Sequence, residues 1–224
     1  MQSRMIDLSH DVEDGMITYK GIPGPIICDF LSREDSRKTY SEGTEFNIGK
    51  IEMIANTGTY VDSPFHRFAS GIDLSELPLE SLADLEGIVV RTQDHGRAIS
   101  SNAFRGRNVR NKAVLIHTGW ARYWRTDQYS EGHTYLTKDA AEFLVSEGAV
   151  FVGIDTYNID DTSDGARPVH TALLGNNIPI CEHMCGFDAL PDNGFRFHAV
   201  PVKVRGMGSF PVRAYAVLDE ARRP

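Results

Sequence analysis

The sequence predicts an α/β domain with more strand than helix. Short apolar runs rich in β-branched residues recur along the chain. A segment with helical spacing joins two of these runs as a βαβ unit. The 224 residues, 41% hydrophobic and 24% charged, suit one globular domain with a full core.

The elements follow in order. Met5 to Ser9 reads as a short opening strand. Phe46 to Ala55 (FNIGKIEMIA) partly alternates apolar and polar residues. Glu86 to Arg91 (EGIVVR), Ala113 to His117 (AVLIH), Ala149 to Ile154 (AVFVGI) and Ile178 to Cys181 read as buried strands. Phe195 to Val204 and Pro211 to Leu218 read as a closing pair joined through Gly206 and Gly208. Thr137 is placed to cap a helix with Ala140, Phe143 and Leu144 on one face and Gly148 at its end. A second, short helix is expected over Pro168 to Leu174, closed by Gly175-Asn176-Asn177. Residues 1–45, with Gly21, Pro23, Gly24 and Pro25 close together, read as a partly irregular arm that could cover a pocket or a partner subunit. The charged tail, Asp219 to Pro224, is expected to fray. No repeat or linker divides the chain, so residues 1–224 are expected to form one domain.

A formal net charge of −8 disfavours binding to a phosphate backbone. No apolar run approaches the roughly 20 residues of a membrane helix, and the N-terminus lacks the apolar core of a signal peptide. Three cysteines, Cys28, Cys181 and Cys185, are too few for a disulfide framework. A cytoplasmic protein that binds neither nucleic acid nor membrane is expected. No GxSxG elbow or phosphate loop is present.

Two segments carry candidate chemistry. In Asn56-Thr57-Gly58-Thr59-Tyr60-Val61-Asp62-Ser63-Pro64-Phe65-His66, Asp62 and His66 could face one cavity. A carboxylate holds hard cations, and an imidazole binds metal or moves a proton near neutral pH. The alternative is an Asx-turn at Asp62 with His66 on the surface. In the second segment, the strand AVFVGI ends at Asp155, and polar residues from Thr156 to Asp164 crowd the following loop, where sites of α/β sheets gather. His170 follows on the short helix, and Glu182 directly follows the apolar IPIC. A carboxylate there is costly unless paired or metal-bound, although a solvated loop remains the plainer reading. Asp62, His170 and Glu182 make a reasonable N/O ligand set. Cys181, His183 and Cys185 share a face if their strand continues, a weaker zinc alternative.

Asn56 to His66 resembles the HxGTHxDxPxH signature of the cyclase-like metal-dependent hydrolases, a family that includes bacterial kynurenine formamidase and isatin hydrolase. IDLSH near the start, Leu115 to Trp120, GIDTYNID, His170, IPICEHM and the closing Phe195 to Ala216 resemble further family segments in the same order. The resemblance implies a swivelling β/β/α fold and a homo-oligomer, dimer before tetramer. It implies metal ligands at Asp62, His170 and Glu182, an acid/base at His66 and a pocket-lining aromatic at Tyr19. The first two signature histidines are replaced by Asn56 and Tyr60, which are weak ligands or hydrogen-bond donors to an oxyanion. One divalent cation, zinc or manganese, is therefore expected where the family holds one or two. The function expected is hydrolysis of a small amide, lactam or lactone. Lyase, isomerase or cyclase chemistry on the same scaffold, and a non-catalytic small-molecule binding protein, are the alternatives.

Overall fold

A computed structural model describes residues 4–218. Its strands are β1 (Arg4–Asp7), β2 (Ile26–Leu31), β3 (Ile48–Glu52), β4 (Tyr60–Asp62), β5 (Leu85–Arg91), β6 (Ala98–Ile99) and β7 (Lys112–His117). They continue with β8 (Tyr135–Leu136), β9 (Phe151–Ile154), β10 (Ile180–Glu182), β11 (Phe195–His198), β12 (Ser209–Pro211) and β13 (Tyr215–Leu218). The helices are α1 (Arg33–Ser36), α2 (Lys138–Ser146) and α3 (Pro168–Gly175).

A mixed sheet runs in the order β1-β13-β11-β5-β7-β9-β10-β4-β12. Its centre, β5-β7-β9-β10, is parallel. The βαβ unit expected from the sequence is β7-α2-β9. Side chains of successive strand residues point to opposite faces, so each central strand feeds two cores. Val90, Val114, Ile116, Val152 and Ile154 meet Ala140, Ala141 and Leu144 of α2 and Val169, Leu173 and Leu174 of α3. Val89, Leu115, Phe151 and Cys181 meet Ile6, Val61, Phe197 and Ala216 on the other face. Full burial on both faces explains why these strands read as continuous apolar runs.

Several boundaries differ from the expected ones. The run Phe195 to Val204 forms strand only to His198, and Pro201 cannot donate to a ladder beyond it. The closing pair exists as β11 with β13, antiparallel, while β12 leaves it to pair with β4. The N-terminal arm is more regular than expected. Its β2 pairs antiparallel with β3 in a ribbon separate from the main sheet. Ile26, Phe30, Ile48 and Ile51 of that ribbon are exposed, Phe30 to 77%. The expected fraying of Asp219 to Pro224 lies outside the described residues. Among the described residues no helix is long and apolar enough to cross a membrane.

Candidate active site

Strand register brings the first group of site residues together. In the antiparallel pair β10-β4, Glu182 lies opposite Tyr60 and Ile180 opposite Asp62. In β12-β4, Ser209 lies opposite Asp62. Cross-strand partners share a face, as do residues two apart on one strand. Tyr60, Asp62, Glu182 and Ser209 therefore project from the same side of the sheet. Val61 and Cys181, one residue away, enter the opposite core.

The loop before β4 is fixed by its small polar residues. Gly58 adopts a left-handed φ of +64°, and its N–H donates to Thr18 Oγ1 at 2.8 Å. Thr59 Oγ1 donates to the His183 carbonyl at 2.6 Å, tying β4 to the end of β10. After β4, a single 3-10 turn over Pro64–His66 carries His66 to the rim. A Cβ at Gly208 would lie 2.5 Å from His66 Cα. Glycine thus allows β12 to approach the turn closely enough for Ser63 N–H to donate to the Gly208 carbonyl at 2.7 Å.

The second group comes from α3. Asp160 accepts from the backbone N–H groups of Val169 (2.7 Å) and His170 (3.0 Å), otherwise unpaired at a helix start. The same carboxylate lies 2.6 Å from His170 Nδ1. Burial alone would raise the Asp160 pKa, but these hydrogen bonds and the His170 charge hold it below the usual range. A proton fixed on Nδ1 leaves His170 Nε2 to face the sheet. That nitrogen is 3.6 Å from Asp62 Oδ2 and 3.8 Å from Glu182 Oε1.

Asp62, Glu182 and His170 are all buried. Burial lowers the His170 pKa, yet the Asp160 hydrogen bond and the nearby Asp62 and Glu182 carboxylates push it up to about 10. Carboxylates that favour an imidazolium so strongly also favour a cation at Nε2. Burial, aided by Asp62, raises the Glu182 pKa. Glu182 Oε1 accepts from Ile159 N–H at 2.6 Å, and Oε2 from Tyr60 OH at 2.5 Å. Tyr19 OH lies 2.7 Å from Tyr60 OH and 3.1 Å from Glu182 Oε2. Burial, then the Glu182 charge, pushes both phenols well up, so both remain protonated donors.

Asp62 has divided duties. Its Oδ1 accepts from Ser209 Oγ, which lies 2.9 Å from His66 Nδ1. Its buried Oδ2 has no hydrogen-bond partner among the described residues. Such an oxygen is costly unless something positive meets it. Two ligands about 2.1 Å from one tetrahedral ion stand roughly 3.4 Å apart. The separations from His170 Nε2 are close to that, so the residues fit a divalent cation. The donors are oxygen and nitrogen, without sulfur, a set that hard and borderline divalent cations accept. Donor atoms of Asp62, His66 and His170 all lie within 4.8 Å of one another, the one such group among the described residues. Glu182 is not in that trio, though its Oε1 faces His170.

A cavity of about 320 Å³ opens on this cluster. Tyr19, Asn56, Tyr60, His66, His170 and Glu182 line it together with Ile22, Arg67, Asn158 and Arg167. Asp62 lies beneath, fully buried.

Residues 6–161 match the family model described as "Putative cyclase". The chain belongs to the cyclase family. Kynurenine formamidase of Bacillus cereus is 24% identical over 213 residues, spanning 95% of this chain and 96% of the relative. Kynurenine formamidase of Bacillus anthracis is 25% identical over 214 residues, spanning 95% and 96%. Isatin hydrolase A from Labrenzia aggregata superposes with a TM-score of 0.82 at 20% identity, covering 97% of this chain and 94% of its own. An isatin hydrolase bound to the product analogue thioisatinate gives 0.81 at 18% identity, covering 97% and 93%. The α/β cyclase-family fold expected from the sequence is the fold observed.

In this cyclase-family chain, other candidates fall elsewhere. Asp155 caps a neighbouring turn, accepting from Thr118 N–H at 2.7 Å and Gly119 N–H at 2.9 Å. Burial pushes its carboxyl up to about 6 against those bonds. Cys181, His183 and Cys185 do not form a donor cluster. His183 turns left-handed (φ +53°), ending the strand that would have kept them on one face. Sequence reasoning placed Asn158 and Asp160 only among the polar residues of a crowded loop, without a role for either, and did not reach Ser209, Arg67 or Arg167. The position of Asp160, next to last in the GIDTYNIDD stretch and shortly upstream of a Pro-initiated helix, was the available signal for an N-terminal cap. Ser209 is visible only through strand register.

Proposed function

We propose that this chain is a metal-dependent hydrolase of a small amide or lactam, with Asp62, His170 and Glu182 holding one divalent cation. The observation that carries this reading is the buried, unpartnered Asp62 Oδ2 facing His170 Nε2. Relatives named kynurenine formamidase and isatin hydrolase support amide-type substrates. A cation at these ligands supplies Lewis-acid polarisation of the scissile carbonyl and lowers the pKa of water.

The protein's own residues do the rest. Ser209 Oγ donates to Asp62 Oδ1, so it accepts from His66 Nδ1–H. That tautomer leaves His66 Nε2 unprotonated, as a base that takes a proton from water and returns it to the leaving nitrogen. The His66 side chain is 36% exposed, open enough to meet substrate. Tyr60 OH donates its hydrogen bond to Glu182, so it holds that carboxylate and is spent as an oxyanion donor. Asn56, half-buried on the cavity wall, is the donor left for the developing oxyanion. A protonated phenol is a poor ligand, which supports one cation where two histidines would allow a second.

The test is turnover of N-formyl aryl amines in ¹⁸O-enriched water. Incorporation of one ¹⁸O into the released acid is expected. Turnover without label would instead indicate lyase or isomerase chemistry.

The chain is further proposed to be a homodimer, with a tetramer as the second possibility. The exposed apolar side chains of the β2-β3 ribbon support this, since such patches mark interaction surfaces. Light scattering should give at least twice the chain mass, and Phe30→Lys should lower it. Free thiols at Cys28, Cys181 and Cys185 support a reducing, cytoplasmic setting.

A further inference from the structure

We propose that the cavity is built for a substrate bearing a carboxylate, held by Arg167 with Arg67 beside the scissile amide. This rests on the hydrolase reading and names the substrate class of the same site.

Both arginines line the cavity. Among the described residues neither has a carboxylate within 4 Å, whereas Arg37, Arg91, Arg97, Arg125, Arg196 and Arg213 do. In a chain of net charge −8, two cations left unpaired on the wall of the candidate active site call for an anionic ligand.

Arg167 is held in place. It adopts a left-handed conformation, φ +47° and ψ +59°, directly before Pro168 at the start of α3. Backbone of this kind in a non-glycine residue persists where the surroundings impose it, and it gathers at ligand sites. Its Nη1 is 3.3 Å from the Asp161 carbonyl and 3.5 Å from Asn158 Oδ1. Asn158 Nδ2 in turn donates to Tyr19 OH at 3.1 Å and approaches Glu182 Oε2 at 3.5 Å. One amide side chain thus separates the guanidinium from the carboxylate proposed to hold the cation. Nη2 and Nε have no partner in this network and remain available for a bidentate pair.

Arg67 follows His66 directly. Its Nε donates to Thr171 Oγ1 on α3 at 3.1 Å, and its guanidinium lies 5.3 Å from the Phe68 ring centre. The two arginines are therefore both anchored around the first turn of α3, next to His170. Tyr19 and Ile22 supply an apolar wall, and the cavity volume suits a small molecule. A singly charged carboxylate on an apolar body matches this lining. A dianionic phosphate would be repelled more strongly by Asp62 and Glu182.

The test compares 3-formamidobenzoate with neutral formanilide, and measures binding of 3-aminobenzoate by calorimetry as a readout independent of turnover. Wild type should favour the charged amide in kcat/KM by about 10-fold or more, the scale of a charge-assisted hydrogen bond. Arg167→Met should lose most of that preference and weaken 3-aminobenzoate binding by a similar factor, while Arg167→Lys should recover part of both. Arg67→Met should act in the same direction. Equal use of both amides by wild type, with 3-aminobenzoate binding unchanged in both Met variants, would overturn the proposal and leave the hydrolase reading standing. Two inert amides with Arg167-dependent binding would count against open-chain amides as substrates and support the anion site.

Discussion

Asp62→Ala is expected to lose bound metal and turnover together. Three features meet at this carboxylate. Its Oδ2 faces His170 Nε2 at 3.6 Å. Its Oδ1 accepts from Ser209, the residue that orients His66. It is also fully buried, so its charge is stabilised mainly by what it touches. Loss of a partner outside the ligand shell typically costs 10–100-fold in metal affinity, and removal of a ligand should exceed about 100-fold. A cation at 100 times its dissociation constant stabilises the folded state by about 2.7 kcal/mol. Thermal melts with and without added zinc or manganese should therefore separate for wild type and coincide for Asp62→Ala. A metal-dependent rise of equal size in the variant would exclude Asp62 as a ligand.

His66→Ala should separate metal binding from chemistry. His66 moves a proton and holds no ion in the proposed reaction, so metal content should match wild type while kcat falls by about 10²–10⁴-fold. Ser209→Ala is the milder companion. It frees His66 Nδ1 from its partner at 2.9 Å and removes one bond to Asp62, but leaves Nε2 in place. A loss of roughly 10–100-fold in kcat with little change in KM is expected, as for other outer partners. Wild-type kcat in Ser209→Ala would mean that the His66 tautomer is set by something else.

Much of the architecture was legible because the central strands are buried on both faces. The runs EGIVVR, AVLIH and AVFVGI are short and β-branched, which reads as strand rather than buried helix, and the strands flanking the helix between the last two are parallel. The arm was harder to read. Ile26 to Leu31 pairs with Ile48 to Glu52, yet its apolar residues face outward, so burial periodicity gives no cue. At the site, His66, His170, Glu182, Tyr60, Asn56 and Tyr19, all named from the sequence, line one cavity, with Asp62 buried beneath it. Ser209 escaped that reading because it meets Asp62 only through the β12-β4 register, 147 residues away. Arg67 and Arg167 escaped it because an arginine in a polar loop looks the same whether or not a cavity lies beneath. The role of Tyr60 also changed. Its position suggested a ligand or an oxyanion donor, but its place opposite Glu182 commits its proton to that carboxylate.

The most direct test of the central claim is metal content by inductively coupled plasma mass spectrometry after chelation and reloading, for wild type, Glu182→Gln and His66→Ala. About one equivalent in wild type and His66→Ala, with none in Glu182→Gln, is the predicted result. Metal retained in Glu182→Gln and lost in His66→Ala would contradict it, because the ion would then be held by Asp62, His66 and His170 and the proposed base would be a ligand.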